Sequence, residues 1–367
     1  MYIPKPHSNS TVPPPAHTAG RGQWAQQYTR NTRMASRPSS TASTAQNGAW
    51  KTGLGVLTET TDDHRTGKIN LVAAAVLLDG EGKIIDVTFD ELESTISADG
   101  SGVLSMPTDY RTKRQKGDDY PLAAASSLKK GWAEQADDFA DYLTGMTPEQ
   151  ASMLETDKDG KAVDADLLSG CTIRVDQYRD AVAKACTNAS ALGAAKGDRV
   201  SLGVEAENAS SDITATDDKD VNAEVDLTVV ALTLDADGRV TSAIGDMAEP
   251  ALTIAADGGV TAPDTVRSKL ELGDSYGMRN ASSLGKEWYE QAEAFEAYVV
   301  GKTADEVAAI PVETTDNGHV VTTDETLKAG CTMSISALID ATVKACSDDS
   351  AADFTGDAKL ALTTSTS

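Results

Sequence analysis

Four cysteines are the residues whose type and spacing first suggest chemistry in this chain. They form two pairs, Cys171 with Cys186 and Cys331 with Cys346, each separated by 15 positions. If about five strand residues run outward for ~16 Å and about ten helical residues return for ~15 Å, the members of a pair meet. Cysteines at that separation can bridge, so the pattern favours one disulfide per pair over the alternative of buried free thiols. A disulfide in turn implies an oxidising location or late oxidation.

Other reactive groups are scarce, and the sequence predicts no catalytic residues and no metal site. A zinc site is not indicated, because no histidine or second cysteine pair lies near either pair. Residues 155–166 partly imitate a calcium-binding loop, but a hairpin turn is the better interpretation. No Ser-His or Cys-His arrangement can be proposed from the histidines. The histidines are His7, His17, His64 and His319.

Both cysteine pairs belong to a long internal repeat. The segment WAEQA at 132–136 recurs as WYEQA at 288–292, and Gly-Cys-Thr at 170–172 recurs at 330–332. A repeat of roughly 150 residues is long enough to form a domain. We therefore predict an α+β fold made of two tandem copies of the same domain, each a small antiparallel sheet packed with helices. The predicted domains span residues 51–190 and 197–349.

Within each copy, the residue pattern predicts strands first and helices later. In the first copy, strands are expected at 53–56, 69–78 and 84–89, with a tight turn at 79–83. Their counterparts are expected at 200–204, 225–234 and 240–244. The clearest helix begins at Trp132 and again at Trp288, where apolar residues follow with spacings of four, seven and eleven.

Residues 1–50 are predicted to be a low-complexity basic arm. They contain no Asp or Glu, so the net charge of −25 for the whole chain leaves about −30 on the remainder. The basic residues of the arm are Lys5, Arg21, Arg30, Arg33 and Arg37. An acidic body argues against nucleic acid or an anionic membrane as its partner. The arm could instead contact the acidic body of a neighbouring subunit, or serve as a plain linker.

The two ends of the chain carry further expectations. The first residues lack the order of an export signal, and no apolar run approaches the length of a membrane span. Residues 350–367 are predicted to be a C-terminal tail in which 356–362 resembles the opening strand of each copy. This strand could close the second copy or pair with another chain.

One motif resembles a known family. Residues 166–172, Asp-Leu-Leu-Ser-Gly-Cys-Thr, look like the terminal motif of FMN-binding domains, and residues 76–87 resemble the strand-turn-strand entry of that family. The resemblance implies that Thr172 carries FMN through a phosphoester bond, with Asp166 as its motif partner. Cys171 departs from the family's alanine. The second copy departs further, since Thr326 and Ala329 replace the acidic and hydroxyl positions, so Thr332 is a doubtful site.

These patterns lead to two functional hypotheses. The first is a non-enzymatic structural protein, a subunit of an extracellular filament, surface layer or virion-like particle, whose arm and terminal strand make the subunit contacts. It rests on the oppositely charged arm, the unpaired terminal strand and the absence of duplicated catalytic groups. The alternative is a surface flavoprotein of extracellular electron transfer that carries FMN on Thr172. An extracellular or virion location is expected in either case.

Overall fold

The computed structural model describes residues 48–347, and these form an α+β fold with antiparallel sheets. The predicted arm lies outside the described residues except for its last three positions. The predicted tail at 350–367, with its strand at 356–362, also lies outside them.

The strands form two large sheets and one small hairpin. The first sheet has the order β1-β2-β3-β4. In the second sheet the order is β5-β6-β8-β9, and β7 also pairs with β6. Strands β10 and β11 pair with each other. The strands are β1 Lys51–Asp63, β2 Thr66–Leu78, β3 Ile84–Ala98, β4 Leu104–Ser105, β5 Arg199–Asn208, β6 Val221–Leu234, β7 Val240–Ala248, β8 Ala251–Ile254, β9 Val260–Thr261, β10 Val312–Thr314 and β11 Val320–Thr322.

Helices follow the strands in each half of the chain. The helix predicted from the spacing after Trp132 is confirmed as α3, and the one after Trp288 as α8. The helices are α1 Lys113–Lys116, α2 Leu122–Ala125, α3 Trp132–Leu143, α4 Pro148–Ser152, α5 Ala165–Leu168, α6 Asp176–Asn188, α7 Lys269–Leu272, α8 Trp288–Val299, α9 Ala304–Ala308, α10 Glu325–Lys328 and α11 Ser336–Cys346.

The two large sheets bury their inner faces against each other. One continuous apolar core contains Leu54, Leu71 and Ala73 from the first sheet together with Val204 and Leu227 from the second. The outer face of each sheet is covered by the helices of its own half, which form two further apolar clusters. The described chain is therefore a four-layer arrangement of helices, sheet, sheet and helices.

Strand β2 shows why its sequence is an almost unbroken apolar run. Ile69, Leu71 and Ala73 point into the core between the sheets, whereas Val72 and Ala74 point into the helical layer. Successive side chains of a strand face opposite sides, so a strand covered on both sides needs apolar residues at every position. Residues 71–78 are all nearly inaccessible to solvent.

Polar contacts also join the two halves. The ammonium of Lys184 donates to the carbonyl of Val56 at 2.5 Å and lies 2.6 Å from the Glu271 carboxylate of the other half. Its counterpart Lys344 donates to the carbonyl of Val204 at 3.3 Å. That same carbonyl accepts from the amide of Gln115 in the first half at 3.4 Å. The side chain of Lys184 is 7% exposed, so these partners compensate for the removal of its ammonium from water.

Glycines let one helix of each half lie directly on the first strand. A Cβ added at Gly55 of β1 would come within 2.1 Å of the carbonyl oxygen of Ala181 in α6. The same construction at Gly203 of β5 gives 1.9 Å to the carbonyl oxygen of Ala341 in α11. Separations below 3.0 Å cannot be accommodated without moving backbone, so glycine is required at both positions.

We predict that Gly55→Ala lowers the free energy of unfolding by about 1–3 kcal/mol or more, because α6 must move off the sheet. The matched control is Gly131→Ala, where the nearest atom to an added Cβ is the flexible Glu134 carboxylate at 3.5 Å. Urea denaturation of the two variants measures both values. Equal stability of Gly55→Ala and the wild type would contradict the close packing of α6 on β1.

Candidate functional site

Thr172 lies in the loop between α5 and α6 and is held by a buried glutamine of α3. Its backbone N–H donates to Oε1 of Gln135 at 2.8 Å, and its hydroxyl donates to the same oxygen at 3.0 Å. The amide nitrogen of Gln135 donates in turn to Ser126 Oγ at 3.1 Å and to the carbonyl of Lys130 at 3.0 Å. Gln135 is fully buried and therefore joins two loops to one helix.

The second half uses the same arrangement at Thr332. Its N–H and hydroxyl donate to Oε1 of Gln291 at 2.8 and 3.3 Å. The amide nitrogen of Gln291 donates to Ser282 Oγ at 3.2 Å and to the carbonyl of Lys286 at 3.4 Å. Both threonines thus have a common structural role, although only Thr172 stands in the full family-like motif.

These contacts do not suit attachment of FMN to Thr172. An ester at Oγ1 would remove the proton that the hydroxyl donates to Gln135. The hydrogen bonds of Thr172 instead fix its loop to helix α3.

Asp166, the expected motif partner, is exposed in the first turn of α5. Its backbone carbonyl accepts from Ser169 Oγ at 2.7 Å, and its N–H donates to the capping carboxylate of Asp164 at 3.0 Å. No hydrogen bond between Asp166 and Thr172 is present. The motif residues therefore shape a helix and the turn after it.

In the structure all four cysteines are free thiols, in contrast to the disulfides that the spacing favours. The reason is local: the residues after Cys171 form an irregular segment instead of an outgoing strand. Helix α6 then places Cys186 about 15 Å along its axis from its first turn. Cys171 lies near Asp138 and Lys130, whereas Cys186 lies near Glu149. Cys331 and Cys346 are related in the same way through α11.

Burial makes these thiols poor nucleophiles. Desolvation raises the pKa of Cys171, Cys331 and Cys346 to about 11, and that of Cys186 to about 12. The thiolate is the reactive form of cysteine, and it is scarce at neutral pH when the pKa is this high. The cysteines therefore act as small apolar core residues.

We predict that the native protein reacts slowly with a thiol reagent such as DTNB at pH 8, and that four thiols react at once after unfolding in guanidinium without reductant. The reason is that burial both hinders access and favours the protonated form. Fewer than four reactive thiols in the unfolded chain would instead demonstrate the disulfides.

A buried polar cluster in the first half was missed at the sequence level. The hydroxyl of Tyr178 is hydrogen bonded to the carboxylate of Glu91 and accepts from the indole N–H of Trp132 at 3.1 Å. The ammonium of Lys113 lies 2.8 Å from the same Glu91 carboxylate and 3.1 Å from that of Glu93. Lys113 recurs in the repeat as Lys269, and this recurrence was the feature of the sequence that could have indicated a buried lysine.

Burial sets the protonation of this cluster. Burial raises the pKa of Glu91, and burial together with the Glu91 carboxylate raises the pKa of Tyr178 well above its usual value. Tyr178 therefore remains a hydrogen-bond donor across the physiological range. Each polar atom named has a partner inside the protein, so the cluster is suited to holding β3 against α1, α3 and α6.

In the second half the cluster is reduced. Met247 stands where Glu91 does in the repeat, and Lys269 pairs with Glu249 at 2.8 Å. Lys269 also lies over the rings of Tyr276 and Trp288, at 4.8 and 5.6 Å from their centroids. Glu249 stands where Glu93 does in the repeat, so the second half keeps the lysine, the tryptophan and one of the two carboxylates, as expected of a packing role.

We predict that Tyr178→Phe lowers the free energy of unfolding by about 1–3 kcal/mol, because Glu91 loses a buried donor. In the background of Glu91→Met, which copies Met247, the same change should cost less, with a coupling of at least about 0.5 kcal/mol. A double-mutant cycle by urea denaturation measures it. The same loss in both backgrounds would show that the hydroxyl and the carboxylate are energetically independent.

Three carboxylates of the second half form another cluster. Oxygens of Glu224, Asp226 and Glu249 lie within 4.8 Å of one another. Burial, followed by the charge of Glu249, raises the pKa of Asp226 to about 7. Such a group can hold a divalent cation. Here the ammonium of Lys269 already lies on Glu249, so the arrangement is explained as an ion-pair cluster.

The described histidines lie away from these groups. His64 is exposed in the turn between β1 and β2, and His319 is exposed in the turn between β10 and β11. His7 and His17 lie outside the described residues. Among residues 48–347, no helix has the length and apolar character needed to cross a membrane.

Comparison with known proteins gives no family. No family model matches the chain, and no solved structure matches it. A chlorophenol reductase from Desulfitobacterium hafniense is 50% identical over 40 residues, which are 11% of this chain and 12% of that protein. The chain thus matches only about an eighth of that relative's length, and so short a match assigns no family.

Proposed function

We propose that this chain is a non-enzymatic structural protein that self-associates, as a subunit of an extracellular or virion-like assembly. The observation that carries the proposal is that the candidate reactive groups are used inside the fold. Thr172 is bonded to Gln135, Tyr178 to Glu91, and the thiols have raised pKa values. Side chains that are buried or hydrogen bonded inside the protein stabilise the fold and are not available to a substrate.

We further infer that the two halves arose by tandem duplication. Residues at repeated positions make equivalent contacts. Gly55 and Gly203 each allow a helix to pack closely on a strand, and Gln135 and Gln291 each hydrogen bond a threonine. Lys184 and Lys344 both bind a strand carbonyl. Two copies that share an inner core leave two outer helical surfaces on opposite sides, which suits a subunit with more than one neighbour.

Charge supplies the driving force for association in this proposal. The first 50 residues carry five positive charges and no Asp or Glu, whereas the remainder carries about −30. Attraction between the arm of one subunit and the body of another would be screened by salt, because exposed charges interact over only about 10 Å at 0.1 M ionic strength.

The test replaces Lys5, Arg21, Arg30, Arg33 and Arg37 by glutamine in the full chain, and the matched control exchanges lysine and arginine at the same positions. We expect oligomers or particles at low salt for the wild type and the control, and monomers for the neutralised chain. Light scattering after gel filtration, with negative-stain images, measures this. The proposal would be refuted if all three chains were monomers, or if the neutralised chain formed the same oligomers as the wild type. A yellow product heavier by one FMN ester would favour the flavoprotein alternative.

A further inference from the structure

The surface of the first half contains a groove between α3, α4 and the turn that leads to α5. Its volume is about 430 Å³. Apolar side chains line it, among them Leu154, Val163 and Val175, and two acidic residues, Glu155 and Asp164, stand at its edge. Met153 is 77% exposed and Val163 is 49% exposed, so two of its apolar side chains are open to solvent.

The residues that form the groove differ between the two halves. In the repeat, Ala309 at the end of α9 takes the place of Met153 at the end of α4. The second half also builds the following segment differently, as the hairpin of β10 and β11. The common fold does not require a methionine at this position, so its exposed side chain is free to contact a partner.

The charge around the groove favours a basic occupant. Residues 153–166 contain five acidic residues and two lysines, a net charge of −3. The chain itself has such a segment. Trp24 and Tyr28 stand four positions apart in the basic arm, with Arg21 before them and Arg30 and Arg33 after them. Aromatic residues flanked by arginines are typical of residues that anchor protein interfaces.

The position at which the described chain begins also favours this occupant. Gly48 lies against Gly80 in the turn between β2 and β3. A Cβ added at Gly80 would lie 2.5 Å from the carbonyl oxygen of Gly48. That turn leads into Ile84, which exchanges backbone hydrogen bonds with Gly145 and Met146 just before α4. The 19 residues between Tyr28 and Gly48 can extend to about 60 Å, ample to reach the groove.

We propose that Trp24 and Tyr28 of the N-terminal arm bind this groove, with the flanking arginines against its acidic rim. The inference deepens the proposed assembly, since it names the surface that the arm covers. It holds whether the arm belongs to the same copy or to a neighbour, and the test separates these cases.

The test uses site-specific photo-cross-linking in the full chain, with benzoylphenylalanine in place of Met153 and, as the matched control, in place of Ala309. We expect position 153 to cross-link to the tryptic peptide of residues 22–30. The cross-link should be lost when Trp24→Ala and Tyr28→Ala are combined, and position 309 should not form it. Absence of that peptide, equal yield at 309, or survival of the cross-link in the double variant would overturn the inference.

The mass of the cross-linked product separates this inference from the proposed function. A product of two chains supports both docking and arm-mediated assembly. A cross-link within one chain supports the docking site but contradicts the proposal that the arm joins subunits.

Discussion

The structure depends on the burial of two antiparallel sheets against each other, with a helix seated directly on the first strand of each. The inner core contains residues of both halves, so neither sheet presents that face to water. The outer face must then be covered by helices, and Gly55 and Gly203 allow α6 and α11 to approach to backbone contact. Burial of apolar surface on both faces of β2 and β6 is the dominant favourable contribution expected in such a fold.

The buried polar groups follow from this arrangement. Loops that pass over the helical layers must satisfy their backbone groups, and Gln135 and Gln291 each do so by bonding a threonine of one loop and a carbonyl of another. Lys184 crosses between halves to reach Glu271, while its counterpart Lys344 shares a carbonyl with the neutral Gln115. Lys184 is buried and pairs with a carboxylate of the other half, whereas Lys344 is exposed and pairs with Glu205 of its own half.

Much of the fold could be predicted from the sequence. The apolar run of β2 and the spacing after Trp132 fixed a strand and a helix, since each pattern repeats with the period of its element. The pairing of the sheets could not be predicted, because a strand apolar on both faces does not reveal what covers each face. The disulfides favoured by the cysteine spacing stay a prediction, while the outgoing strand assumed for them is an irregular segment before α6 in the structure. The buried role of Gln135 could not be predicted although it recurs as Gln291, since a glutamine on a helix usually faces solvent.

The two halves form one folded body through their shared inner core. Hydrogen exchange followed by mass spectrometry tests it most directly, through the opening free energies of β2 and β6 in increasing denaturant. We expect peptides from both strands to belong to one cooperative unit and to exchange at the same free energy. Two separate units, with β6 protected after β2 has opened, would contradict it.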